Sequence, residues 1–276
     1  VNPLVIQKNQ EIRDDVLSLK YSIYILTSFN SFHINQPIMK FFISQVSYYL
    51  SSKNDSILFL TIRCLSIIFE HSLPSFHEYE TATELTYFAD FVTFLPPDWF
   101  INPDMKQNSE NAGARVTNHY CLSRINPNDN NEEIFTSIHE ILDKILQIFS
   151  NFLDNNFRLN LALTDLFSFI ASLPNHGASF FAFSQDCPNG LVKTMEEICL
   201  AAKRRIGQKE ETHNRIQLSY EILAKGWTNE QEDIQNENTD VILFNNIVTL
   251  IEFCKELAAT AQSKNLFHQR DEYFIS

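Results

Sequence analysis

His139 and Asp143 come nearest to a metal-binding arrangement in this sequence. They are four residues apart, so on a helix they share a face and two ligands can meet one ion. No third ligand stands at a useful spacing, and the pair lies on the polar side of an amphipathic stretch, so a solvated helix face is expected. Cys254 precedes Lys255, a neighbour that can lower a thiol pKa and raise its reactivity. Ile251, Cys254, Leu257 and Ala258 nevertheless fall on one helical face, so Cys254 is expected to pack in the core. Glu252 and Glu256 have a spacing that can serve acid–base work, but the simplest reading has them flank Lys255 on an exposed face. His33, His71, His77, His119, His176, His213 and His268 stand singly and are expected on the surface or in loops. Five scattered glycines supply no phosphate-binding loop, and there is no G-x-S-x-G elbow. The expectation is a protein with no catalytic residue, no metal and no cofactor.

The elements that carry these residues read as helix after helix. A first helix is predicted from about Gln10 to Ser28, and a second from Pro37, with Ile38, Phe41, Phe42, Val46 and Leu50 at helical spacing. Ser51 to Asp55 is a polar turn. Ile57 to His71 is apolar nearly all round, as expected of a helix between neighbours, and Pro74 ends it. A shorter helix, Thr81 to Phe94, stops at Pro96-Pro97. Asn102 to Asn131, rich in Asn, Ser, Asp and Pro, is expected to be a disordered loop or insertion.

The best-patterned block follows. Glu132 and Glu133 open a helix whose Ile134, Ile138, Ile141, Leu142, Ile145, Leu146, Phe149 and Phe152 form one stripe. Asp154-Asn155-Asn156 breaks it, and a second helix runs from Phe157 to Ser172 before Leu173-Pro174. This is an αα-hairpin. A loop containing His176, Gly177, Pro188 and Gly190 leads to a helix over Leu191–Ile206. Another helix covers Arg215–Lys225 and closes on Gly226. Thr228 to Asp240 carries five acids and no base, a solvated linker, and a last helix spans about Val241 to Gln262 before a polar tail.

The chain thus divides into a helical block (1–101), an insertion (102–131), the hairpins (132–227), an acidic linker (228–240) and a closing helix with tail (241–276). The predicted fold is all-α, an irregular α-solenoid of helical hairpins in the manner of HEAT or armadillo repeats, with a compact bundle as the alternative. The totals agree. The 276 residues are 44% hydrophobic and include 24 Phe but only two Trp, which suits a thick apolar interior. Five Gly and nine Pro are few for a strand-and-turn fold. A net charge of −13 argues against nucleic-acid binding, and the basic run Lys203-Arg204-Arg205 reads as a helix-end charge. None of the five cysteines forms a C-x-x-C pair, which suits reduced cysteines in a cytoplasmic protein. The most apolar window, Ile57–Phe69, is too short to span a bilayer and contains Arg63. The sequence opens on Val1 rather than Met, from which we expect a portion of a longer chain.

Three segments resemble a known family. Leu159-Asn160-Leu161-Ala162-Leu163-Thr164-Asp165-Leu166-Phe167-Ser168, continuing to Pro174, resembles the N-L-x-L-T-x-L-x-S-x-L-A-x-x-P signature of the FHF-complex Hook-interacting proteins, the FHIP family. Gly190 to Ile206 is similar to that family's next helix, which also ends in basic residues. Ile251-Glu252-Phe253-Cys254-Lys255-Glu256-Leu257-Ala258-Ala259 looks like the E-F-x-K-E-L-A-A segment that closes its helical domain. The order and spacing of the three agree with the C-terminal part of the family over about Glu132 to Gln262. The resemblance implies an α-solenoid that joins a Hook-type coiled coil and the ubiquitin-conjugating-like protein FTS, on endosomes or other vesicles that move with dynein. In some members it also implies recognition of an endosomal Rab GTPase. Its signature residues here are Asn160, Thr164, Pro174, Lys255 and Glu256. Asn160 and Thr164 read as structural: Thr164 bonds back to the Asn160 carbonyl, and the Asn160 amide reaches the hairpin turn.

The leading functional expectation is a non-catalytic scaffold for vesicle transport, cytoplasmic or peripheral on endosomes, with protein partners and no transmembrane segment. The sequence does not assign its partner-binding residues. A generic helical-repeat scaffold of another complex is the second reading. A hydrolase in an all-α fold, resting on His139 and Asp143, is the third.

Overall fold

The computed structural model describes residues 12–22, 45–71, 89–101, 104–125, 138–207, 211–225 and 239–275. Their secondary structure is helical throughout, with no strand among the described residues. Residues 12–22 and 45–49 are helical, and a polar turn at 50–54 leads into α1, Asp55–His71. Asn54 starts α1 by accepting from the Ser56 and Ile57 amides at 3.0 and 3.2 Å. Nearly every α1 side chain from Ile57 to Phe69 is buried, with Arg63 exposed. Its hydroxyls stay in the core by bonding back into the helix, Thr61 to the Ile57 carbonyl and Ser66 to that of Ile62.

Two 3₁₀ turns, Phe91–Phe94 and Pro97–Trp99, precede α2, Lys106–Ile125. Then come α3, Ile138–Ser150, and α4, Phe157–Ser172, joined by a turn over 151–156. The α3 stripe is buried at Ile138, Ile141, Leu142, Ile145, Leu146 and Phe149, as its spacing predicts. Asn156 caps α4 by accepting from the Arg158 amide at 2.8 Å. Asn175 likewise caps α5, His176–Phe183, through the Ala178 amide. α6, Leu191–Ile206, ends on Gly207, whose φ of +63° is a left-handed conformation that favours glycine. α7 is Thr212–Ala224 and α8 is Thr239–Ile275.

The contacts do not run only between sequence neighbours. α4 packs on both α1 and α8, α3 and α5 both pack on α6, and α8 reaches back to α2 as well as α7. The helices share one core, whose members run from Leu19 to Ala261. Phenylalanines hold its centre. Phe149 of α3 meets Phe152, Phe167 and Phe253 edge-on, with ring centres 4.9 to 5.9 Å apart, and Phe167 stacks on Phe181 of α5.

Several boundaries differ from expectation. Residues 106–125 are a helix, not a disordered insertion. Asp104 bonds the Lys106 amide at its start, and the buried side chains among those described are Ala112 and Val116, which leave no strong apolar stripe in the sequence. The predicted helix ending at Phe94 is not continuous there. Ala89 donates to the Phe183 carbonyl at 3.1 Å and Phe91–Phe94 is a 3₁₀ turn. The expected loop around His176 holds α5. The polar tail after Gln262 continues α8 to Ile275, and α8 begins at Thr239, within the expected linker. Residues 226–238, most of that linker, lie outside the described residues, as do 23–44, 72–88 and 126–137.

Candidate functional site

The polar side chains of the interior gather along α8, and they fasten it to its neighbours at three levels. The first level is the α3–α4 turn. Asn160 is fully buried; its Nδ2 donates to the Phe152 carbonyl at 2.7 Å, and its Oδ1 accepts from Asn155 Nδ2 at 3.1 Å. Asn155 also donates to the Ile148 carbonyl. From α8, Asn246 Nδ2 donates to the carbonyls of Leu153 and Asn155 at 3.3 and 2.9 Å. Asn160 therefore pins the hairpin turn as expected. Thr164 differs: its hydroxyl donates to the Leu161 carbonyl at 3.0 Å, three residues back, not to that of Asn160.

The second level is at mid-helix. Lys255 is buried, and its Nζ lies 2.8 Å from Glu252 Oε1. Glu252 also accepts from the Tyr220 hydroxyl of α7 at 3.0 Å. Burial and then the Glu252 carboxylate push the Tyr220 phenol up to about 12. Glu256 pairs with Arg115 of α2 at 2.6 Å. The expected exposed Glu–Lys–Glu face is thus a correction: α7 and α2 cover it, since α8 is buried on most of its circumference here. Cys254 packs in the core as expected. The Cys199 thiol beside it, and then burial, push its thiol well up, the reverse of activation.

The third level is the C-terminal end of α4, where Pro174 stops the helix and leaves carbonyls without intrahelical partners. The Phe169 carbonyl accepts from Ser172 Oγ at 2.7 Å, and that of Ile170 from the Leu173 amide. Lys264 of α8, fully buried, takes the Ala171 carbonyl at 3.0 Å, the Leu173 carbonyl and the Ser179 hydroxyl, with the Phe183 ring 5.7 Å from its Nζ. Burial pulls the Lys264 ammonium down to about 7. His119 of α2, half-buried and not in a loop, stands at the same end with Nδ1 3.0 Å from Ser172 Oγ.

Sequence reasoning assigned no part to Lys264, His119, Ser172, Ser179 or Asn246. One signal was present. The buried stripe Leu250, Cys254, Leu257 and Ala261 continues at helical spacing to Lys264, which puts a lysine at a core position.

His139 and Asp143 lie 3.7 Å apart with both side chains partly exposed, and Asp143 also accepts from Asn189 at 3.4 Å. No group of three metal-ligating side chains occurs among the described residues. Two shallow grooves open among the described residues. One, of about 350 Å³, runs between α3 and α6 past Asp143, Gly190 and Lys193. The other, of about 380 Å³, lies between α1 and α4 along Phe59, Arg63, Leu161 and Asp165. Among the described residues no helix is long and apolar enough to cross a membrane. The described residues define an all-helical protein whose interior polar groups join helices to one another. No protein-family model matches the chain, and no curated protein matches it.

Proposed function

We propose that this protein is a non-catalytic scaffold that links vesicle or early-endosome cargo to a Hook-type dynein adaptor. The observation that carries the reading is the ordered series of three segments, at Leu159–Pro174, Gly190–Ile206 and Ile251–Ala259, that resemble the FHIP family. The roles of the signature residues suit it. Asn160 and Thr164 hold a helical hairpin, Pro174 ends its second helix, and Lys255 and Glu256 join α8 to α7 and α2, so each supports a rigid helical surface. Such surfaces bind extended partners over broad areas, without one dominating residue. The partners this reading names are a Hook-type coiled coil, an FTS-like protein and, for cargo, an endosomal Rab GTPase. It implies a protein of the cytoplasm, peripheral on vesicles.

The test is a pull-down of purified Hook-type and FTS-like proteins by this chain, with and without chelator. Retention of either partner, insensitive to chelator, is expected. Loss of both from a folded protein overturns the reading in favour of a helical scaffold of another complex.

A further inference from the structure

Two basic side chains reach the C-terminal end of α4 from two different helices. Lys264 comes from α8 and His119 from α2. The three N–H donors of an ammonium match the three acceptors around Lys264, the Ala171 and Leu173 carbonyls and Ser179 Oγ. The proton of Ser172 Oγ is committed to the Phe169 carbonyl, so His119 Nδ1–H donates to Ser172 Oγ. The His119 ring also stands edge-on to Phe169, 4.9 Å between centres. One helix end therefore receives both bases, 53 and 93 positions away in the sequence.

Among the described residues, the charges around this corner do not neutralise a second cation. On α2, Arg115 is engaged with Glu256. On α4, residues 166–172 carry no ionisable group, and Asp165 pairs with Arg63 of α1 at 3.6 Å. α5 brings His176, exposed at its first residue, and the segment bonded to Phe183 brings Asp90, also exposed. On α8, Glu256 stands two turns before Lys264 and faces Arg115. No carboxylate among the described residues bonds Lys264 or His119.

We propose that the C-terminal end of α4 is an acid-operated latch: a proton on His119 sets a second cation beside the Lys264 ammonium and releases α2 and the C-terminal half of α8 from Ser172 and Leu173. Burial, and then the Arg115 and Lys264 charges, hold the His119 imidazole below its ordinary range against the opposing bond to Ser172. The opened state, with His119 in water, takes the proton first. Opening is therefore favoured as pH falls below the free-imidazole value of about 6.5, by up to about tenfold per pH unit. Lys264, pulled down to about 7, takes up most of its own proton above that range. The latch is independent of which partner the surface binds.

The experiment is amide hydrogen exchange of the whole protein between about pH 5 and about pH 7.5, corrected for intrinsic exchange so that it reads the opening constant. In the wild type the opening constant of residues 112–119 and 257–265 rises as pH falls below about 6.5, then levels off. In His119→Gln, neutral at every pH, the rise below about pH 6 is absent, and the change that remains above it belongs to Lys264. A rise of the same size in His119→Gln, or no rise in the wild type, overturns the proposal. The His119 ring resonance supplies a second readout. In Lys264→Met its titration midpoint moves up, and an unmoved midpoint in a folded variant overturns the coupling. If Lys264→Met does not fold, the His119→Gln comparison decides alone.

Discussion

Arg115 of α2 and Glu256 of α8 meet at 2.6 Å across 141 positions of sequence, and the pair marks where the last described helix returns to an earlier one. Their side chains are about one-third exposed, which limits what the contact contributes. A double-mutant cycle with Arg115→Ala and Glu256→Ala should give a coupling of about 0.5–1 kcal/mol in denaturant unfolding, shrinking with added salt. A coupling indistinguishable from zero at low salt means that the pair does not hold α2 to α8.

Asn160→Ala removes the donor to the Phe152 carbonyl and the acceptor for Asn155 in a site with no solvent exposure. The expected loss of stability is about 1–3 kcal/mol, since the abandoned groups stay buried. Asn160→Asp should be worse, because a carboxylate then faces the Phe152 carbonyl. Urea midpoints for the three proteins check the order, and an alanine variant as stable as the wild type rejects a structural role for this residue.

Lys264 has its ammonium pulled down by burial to about 7, whereas in the unfolded chain it titrates near about 10.4. Between these values the unfolded chain holds a proton that the folded chain lacks, so stability rises with pH across that interval and is level below it. In Lys264→Met this rise should vanish. Unfolding free energies at about pH 7 and about pH 9, compared between wild type and variant, isolate it from the other titrating groups. An equal rise in both proteins shows that Lys264 does not titrate in that interval.

The helices legible in the sequence were those with large apolar residues at helical spacing. Phe157–Ser172 and Leu191–Ile206 have their expected ends, because Asn156 and Pro174 bound the first and Gly207 closes the second. α2 was illegible since, among its described side chains, only Ala112 and Val116 are buried, and two such residues set up no hydrophobic pattern. The end of α8 was illegible since it is polar. Lys264 sits where an apolar residue belongs by spacing, and three acceptors from α4 and α5 satisfy it there, which only the folded chain can reveal. Asn160 was readable as a turn-pinning residue because its partner lies eight positions away. The partners of Lys255 and Glu256 beyond their own helix, Tyr220 through Glu252 and Arg115, come from other helices.

α8 runs alongside α4 in the same direction, tied at the start by Asn246 to Leu153 and Asn155 and at the end by Lys264 to Ala171 and Leu173. That geometry has a cost in time. During synthesis α4 emerges about ninety residues before the helix that covers its second face, a delay of several seconds at about 5–20 residues per second. Through that interval α4 has no α8 to pack on, and the closing step joins parts of the chain that are far apart, which slows folding. The nascent protein is then an apolar hairpin waiting for its lid.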